Sequence, residues 1–104
     1  GIAPTFGDAE ISAESTLDGA VVSFDCACQN VPIKYYIYEI ENEIGQKTYV
    51  RFFGKNYIVG SDIMYTEQNK IRGLEKGKYS LHVYAVNSFN KVSDEYLTTE
   101  FTVK

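Results

Sequence analysis

Leu74-Glu75-Lys76-Gly77-Lys78-Tyr79-Ser80-Leu81-His82-Val83-Tyr84-Ala85-Val86-Asn87 decides the fold. A short polar turn holding Gly77 opens a segment with two parities. Tyr79, Leu81, Val83 and Ala85 share one, and Ser80, His82, Tyr84 and Val86 share the other. Successive side chains of an extended chain point to opposite sides of a sheet, so this alternation specifies a β-strand with one buried face. The apolar parity predicts Tyr79, Leu81, Val83 and Ala85 inward, with His82 and Tyr84 outside.

The same reading extends along the chain. Strands are expected at about Ala9 to Ala13, at Ala20 to Cys26 after the Asp18-Gly19 turn, and at Ile33 to Glu41 after Pro32. Further strands are expected at Lys47 to Phe53 after Gly45, at Met64 to Ile71, at Lys78 to Asn87 and at Tyr96 to Val103. The segment Gly54 to Gly60 carries no clear pattern. Gly-marked turns recur at the spacing of a sandwich or barrel, and no window shows an apolar stripe of helical period. The expected fold is therefore all-β: a single antiparallel β-sandwich of about seven strands over residues 8–104, preceded by a linker-like lead over residues 1–7.

Composition agrees with one core. The chain has 104 residues, enough for one domain that buries roughly two thirds of its unfolded surface. Nine Tyr and six Phe without Trp suit pleated, half-buried surfaces. The net charge is −4, with the ten Lys and Arg residues scattered singly. Nothing resembles the basic patch that nucleic acid or an anionic membrane surface requires. No apolar run approaches the roughly 20 residues of a membrane helix, so no membrane insertion is expected. The chain begins with Gly1 and its only Met is Met64, which suggests a processed or excised part of a longer protein.

The pattern resembles fibronectin type III domains from Ala3 to Lys104. Ala3-Pro4-Thr5-Phe6 is similar to the family's lead, and Val22 and Phe24 match inward positions of its second strand, Phe24 standing where a Trp is usual. Tyr36 or Tyr38 would serve as the inward Tyr of the third strand. Leu74 to Tyr79 resembles the family's Leu-x-Pro-Gly-Thr-x-Tyr connection, one residue shorter and without the Pro. The resemblance implies a tyrosine corner, in which the Tyr79 phenol bonds back to the preceding connection, with Leu74, Phe24 and Val83 as structural residues. An immunoglobulin domain with its inter-sheet disulfide would carry Cys where Leu81 stands.

Chemistry-bearing residues are few. Cys26 and Cys28 share the parity of Val22 and Phe24 and read as buried thiols; a metal would need two more ligands. His82 has no nucleophile or carboxylate at a recognisable spacing, and with Tyr84 it makes a small exposed His-Tyr patch. Glu39, Glu41 and Glu43 share one face and read as a solvated, edge-protecting surface. The sequence has no phosphate loop, nucleophile elbow, zinc-protease motif or Asn-x-Ser/Thr sequon. No catalytic, metal or cofactor-binding residue is expected, and no cofactor.

The remaining candidates form a ligand or partner surface. Tyr35, Tyr49, Phe53, Tyr57, Tyr65 and Tyr84 are candidates for exposure. Tyr49, Phe53, Tyr57 and Tyr65, with Phe89 and Asn90 from the last loop, are the expected surface. The expected function is a non-catalytic accessory module, a spacer or protein-interaction domain, of a larger secreted or cell-surface protein. The resemblance to appended modules of bacterial secreted proteins points to a bacterial source. Its partners would be neighbouring domains or another protein. The alternative is a carbohydrate-binding module with Tyr49, Tyr57 and Tyr65 as stacking platforms, which needs two or three coplanar exposed aromatics.

Overall fold

A computed structural model describes residues 2–29, 31–60 and 62–104, and of residues 26–28 the backbone alone. Eight strands follow one another: β1 (Ile11–Ser15), β2 (Ala20–Gln29), β3 (Ile33–Asn42), β4 (Lys47–Phe53), β5 (Asn56–Val59), β6 (Asp62–Ile71), β7 (Gly77–Asn87) and β8 (Leu97–Val103). They form two four-stranded sheets of order β1-β2-β6-β5 and β4-β3-β7-β8, with every named pairing antiparallel. The molecule is an all-β sandwich. No helix is long and apolar enough to cross a membrane.

The deciding stretch folds as its alternation requires. Leu81, Val83 and Ala85 are buried on the inner face of β7, while His82 and Tyr84 stand half-exposed outside. The alternation ends at Val86. This residue and Asn87 are both buried, where the pairing with β3 shifts register and Val86 bridges Val92 of the returning loop. Phe24 and Tyr36 pack edge-to-face at 5.1 Å, and Tyr36 does the same with Tyr65 at 6.4 Å. The centre of the sandwich is thus a stack of aromatic rings contributed by both sheets, the geometry favoured by ring quadrupoles.

The structure refines one expectation and corrects two. The patternless segment supplies β5, so the described residues hold eight strands where about seven were expected. After β4 the chain leaves one sheet at Gly54 and joins the edge of the other. A side chain on Gly54 would meet the Ile33 carbonyl oxygen at 2.5 Å, so only glycine fits this crossing. The lead is not a linker: Phe6 is 2% exposed, and its ring lies 6.4 Å from Phe24 and 6.5 Å from Tyr36. Gln29 secures it, its Nε2 donating to the Thr5 carbonyl while the Thr5 N–H donates to Oε1 at 3.4 Å. Finally, Glu39 and Glu41 guard no edge, because β3 lies between β4 and β7. Cys26 and Cys28 side chains lie outside the described residues.

The corner forms. The Tyr79 hydroxyl donates to the Glu75 carbonyl at 2.6 Å, and its ring stacks on Phe101 at 5.4 Å with 16° between planes. Half-buried Leu74 packs against the core, and its N–H donates to the Asp18 carbonyl at 2.8 Å. That bond ties the β6–β7 connection to the β1–β2 turn.

Candidate interaction face

The outer face of the β4-β3-β7-β8 sheet gathers Tyr35, Tyr49, Tyr84 and Tyr96 with Phe53 and His82. Pairing register places them in rows. Phe53 faces Tyr35; Arg51 faces Ile37 and then Tyr84; Tyr49 faces Glu39, His82 and Thr98; Lys47 faces Glu41, Ser80 and Glu100. Each of these residues alternates with an inward one, so the face follows from the burial of Tyr36, Tyr38 and Ile40 on β3 and of Leu81, Val83 and Ala85 on β7. Tyr96, just before β8, completes the set. Its ring centre lies 4.3 Å from that of His82 and 5.4 Å from that of Tyr84.

Charges thread between the rings. His82 Nδ1 lies 3.3 Å from Glu39 Oε1, and Lys47 Nζ lies 3.8 Å from the same oxygen and 4.0 Å from Glu41. The Arg51 guanidinium sits 4.9 Å from the Tyr35 ring centre, a cation–π contact. The Tyr84 phenol is held above its ordinary pKa, chiefly by burial and then by the negative potential of Glu39 and Tyr96. Tyr84 therefore stays a neutral hydroxyl, able to donate and accept, throughout the physiological range.

The candidate residues divide among four places. Tyr49 and Phe53 lie on this face, 59% and 81% exposed. Tyr57 is on β5 of the other sheet, paired opposite Met64 on the strand face away from the core. Tyr65 is corrected outright. It is fully buried, because β6 points Tyr65, Glu67, Asn69 and Ile71 inward, and its phenol oxygen accepts the Ile33 N–H. Phe89 and Asn90 sit at one end of the sandwich in the β7–β8 loop. Asn87 Oδ1 shapes that loop by accepting the N–H groups of Phe89 and Lys91, each at 3.0 Å. Asn90 takes a left-handed φ of 62°, which Asn tolerates better than most residues. Reading candidates singly missed Tyr96 and Arg51. Parity in β8 would have found Tyr96, since Leu97 and Phe101 are inward.

Glu67 went unnoticed for a different reason. It is a charged residue on the inner face, 1% exposed. Its Oε2 accepts the Lys55 N–H at 2.7 Å and its Oε1 faces Asn69 Nδ2 at 3.4 Å; that nitrogen also lies 3.0 Å from the Tyr38 hydroxyl. Lys55 Nζ closes the group on Asn69 Oδ1 at 3.2 Å. Burial raises the Glu67 pKa against the lowering pull of the Lys55 N–H, the Asn69 amide and the Lys55 charge. The cluster gives the Lys55 N–H, at the crossing from β4 to β5, its acceptor, so its role is architectural.

Among the described residues, no three His, Cys, Asp or Glu side chains are grouped to hold a metal ion. The chain matches no protein-family model, no curated protein and no solved structure.

Proposed function

We propose that this domain is a non-catalytic interaction module of the fibronectin type III and immunoglobulin-like class. In this reading it belongs to a larger secreted or cell-surface protein and binds a protein partner through the outer face of β4-β3-β7-β8. The order β1-β2-β6-β5 supports the class, since it corresponds to the A-B-E-D sheet of immunoglobulin constant-type domains, with β3, β7 and β8 as C, F and G. The Tyr79 corner supports it further.

The observation that carries the function is the face itself. Tyr35, Tyr49, Phe53, Tyr84, Tyr96, His82 and Arg51 are displayed on a rigid sheet, outside the core they are not needed to fill. Tyr and Arg are the residues that protein interfaces enrich, because they combine large apolar area with a polar tip. A sugar-binding platform would favour coplanar rings. Here Tyr84 and Tyr96 are inclined by 50° and His82 and Tyr96 by 32°, which favours a protein partner over a glycan.

The test compares three immobilised domains for capture of extracytoplasmic proteins of the source cells: wild type, Tyr84→Ala with Tyr96→Ala, and Tyr57→Ala on the opposite sheet. The expected result is a protein retained by wild type and Tyr57→Ala but lost with the double variant. Equal capture by all three would remove the face from consideration. Binding on a glycan array that the double variant abolishes would move the ligand class to carbohydrate.

A further inference from the structure

We infer that β4 is an edge built to pair with β4 of a second copy, antiparallel across a twofold axis centred on Val50. β4 ends its sheet and, among the described residues, pairs only with β3. Its register with β3 runs unbroken from Lys47 to Phe53. The hydrogen-bond phase is fixed at both ends, by Asn42 N–H donating to the Gln46 carbonyl at 3.0 Å and Gly54 N–H donating to the Lys34 carbonyl at 3.2 Å. Antiparallel bonding alternates along a strand. Residues 48, 50 and 52 therefore direct their backbone groups to β3, while Lys47, Tyr49, Arg51 and Phe53 direct theirs to the open edge.

Such edges are usually blunted by charge, proline or a bulge. β4 has neither proline nor bulge, and its two cations are engaged toward β3: Lys47 with Glu39 and Glu41, Arg51 over Tyr35. The open groups lie beside exposed Tyr49 and Phe53.

Complementarity selects both the occupant and the register. With Val50 opposite Val50 of the second copy, Tyr49 faces Arg51 and Lys47 faces Phe53, each twice. All four open residues are then paired, each cation standing opposite an aromatic residue and not another cation. Sliding the copies one way sets Lys47 against Arg51 twice. Sliding them the other way sets Arg51 against itself. Both shifts oppose like charges and leave residues unpaired. The favoured pairing joins the two sheets into one of eight strands and makes the aromatic face continuous across both copies. It does not depend on what that face binds.

Sedimentation velocity of the domain from about 1 µM to 1 mM tests this directly. A reversible monomer–dimer equilibrium is expected, and a monomer at every concentration would overturn the inference. Arg51→Pro removes an edge-facing N–H while sparing the β3 ladder. It should yield a folded monomer, and a persisting dimer would also overturn it. Phe53→Glu and Phe53→Lys alter a side chain that is 81% exposed and test the register without touching the backbone. The Glu variant, facing the second copy's Lys47, should dimerise about tenfold more tightly than the Lys variant. Equal or reversed affinities would exclude this register.

Discussion

The Tyr79 hydroxyl donates to the carbonyl of Glu75, four residues earlier, at 2.6 Å. The bond closes the β6–β7 connection just as the chain enters β7, whose inner face supplies Leu81, Val83 and Ala85 to the core. Tyr79→Phe keeps the ring on Phe101 and deletes only this bond. It should cost about 1 kcal/mol in urea unfolding, the net value of one hydrogen bond. An unchanged midpoint would show that water replaces it without loss.

Phe6 anchors the lead inside the sandwich between Phe24 and Tyr36. Phe6→Ala should destabilise the domain by about 3–5 kcal/mol, the range for emptying an aromatic core site. A linker residue at this position would give a change within about 0.5 kcal/mol, as surface substitutions do. Thermal and urea unfolding separate the two outcomes.

Glu67 should make stability depend on pH with a defined sign. Its folded pKa lies above its ordinary value of 4.5, so the folded protein keeps the proton to higher pH than the unfolded chain does. Its contribution is then most favourable below the ordinary value. It declines as pH rises from there through the raised folded value, and is level above that. Glu67→Gln cannot titrate and should gain on wild type across that window. Urea midpoints of the pair between pH 4 and pH 8 read the difference directly, and a constant gap would show that Glu67 titrates normally. Glu67→Ala leaves the Lys55 N–H without its acceptor and should cost about 1–3 kcal/mol.

Gly19 is buried against the neighbouring connection, where a Cβ would fall 1.9 Å from the Ile71 carbonyl oxygen. Backbone cannot step aside as a flexible side chain can. Gly19→Ala should therefore cost about 2 kcal/mol or more, in the range of overpacked cores. Gly45→Ala is a useful contrast. It meets nothing within 4 Å but must adopt a φ of 83°, so its penalty is backbone strain alone, about 1–2 kcal/mol. Similar losses at both positions would mean that the contact at Gly19 relaxes.

Much of the architecture was legible because strand formation leaves a local record. Period-two alternation located seven of the eight strands, and β4 fell at its observed bounds, Lys47 to Phe53. The inward parity of Tyr79, Leu81, Val83 and Ala85 could be anticipated from residues adjacent in sequence, and the resemblance to fibronectin type III domains implied the corner bond. β5 could not, because Asn56–Val59 is exposed throughout and has no buried face to impose an alternation. Tyr65 was misplaced for a related reason: an aromatic side chain suits either face of a strand, and only the burial of its neighbours Glu67 and Asn69 fixes the inner one.

The sequence by itself determined the all-β class and the deciding strand, since these rest on spacing between near neighbours. Tertiary structure decided which aromatics meet, bringing Tyr49 of β4, Tyr84 of β7 and Tyr96 just before β8 onto one face and sending Tyr65 and Phe6 into the core. It also turned Glu67 inward to hold the crossing between the sheets. Those outcomes depend on which strands become neighbours and which backbone groups are left unpaired when they do, and both are set by contacts between residues distant in the chain.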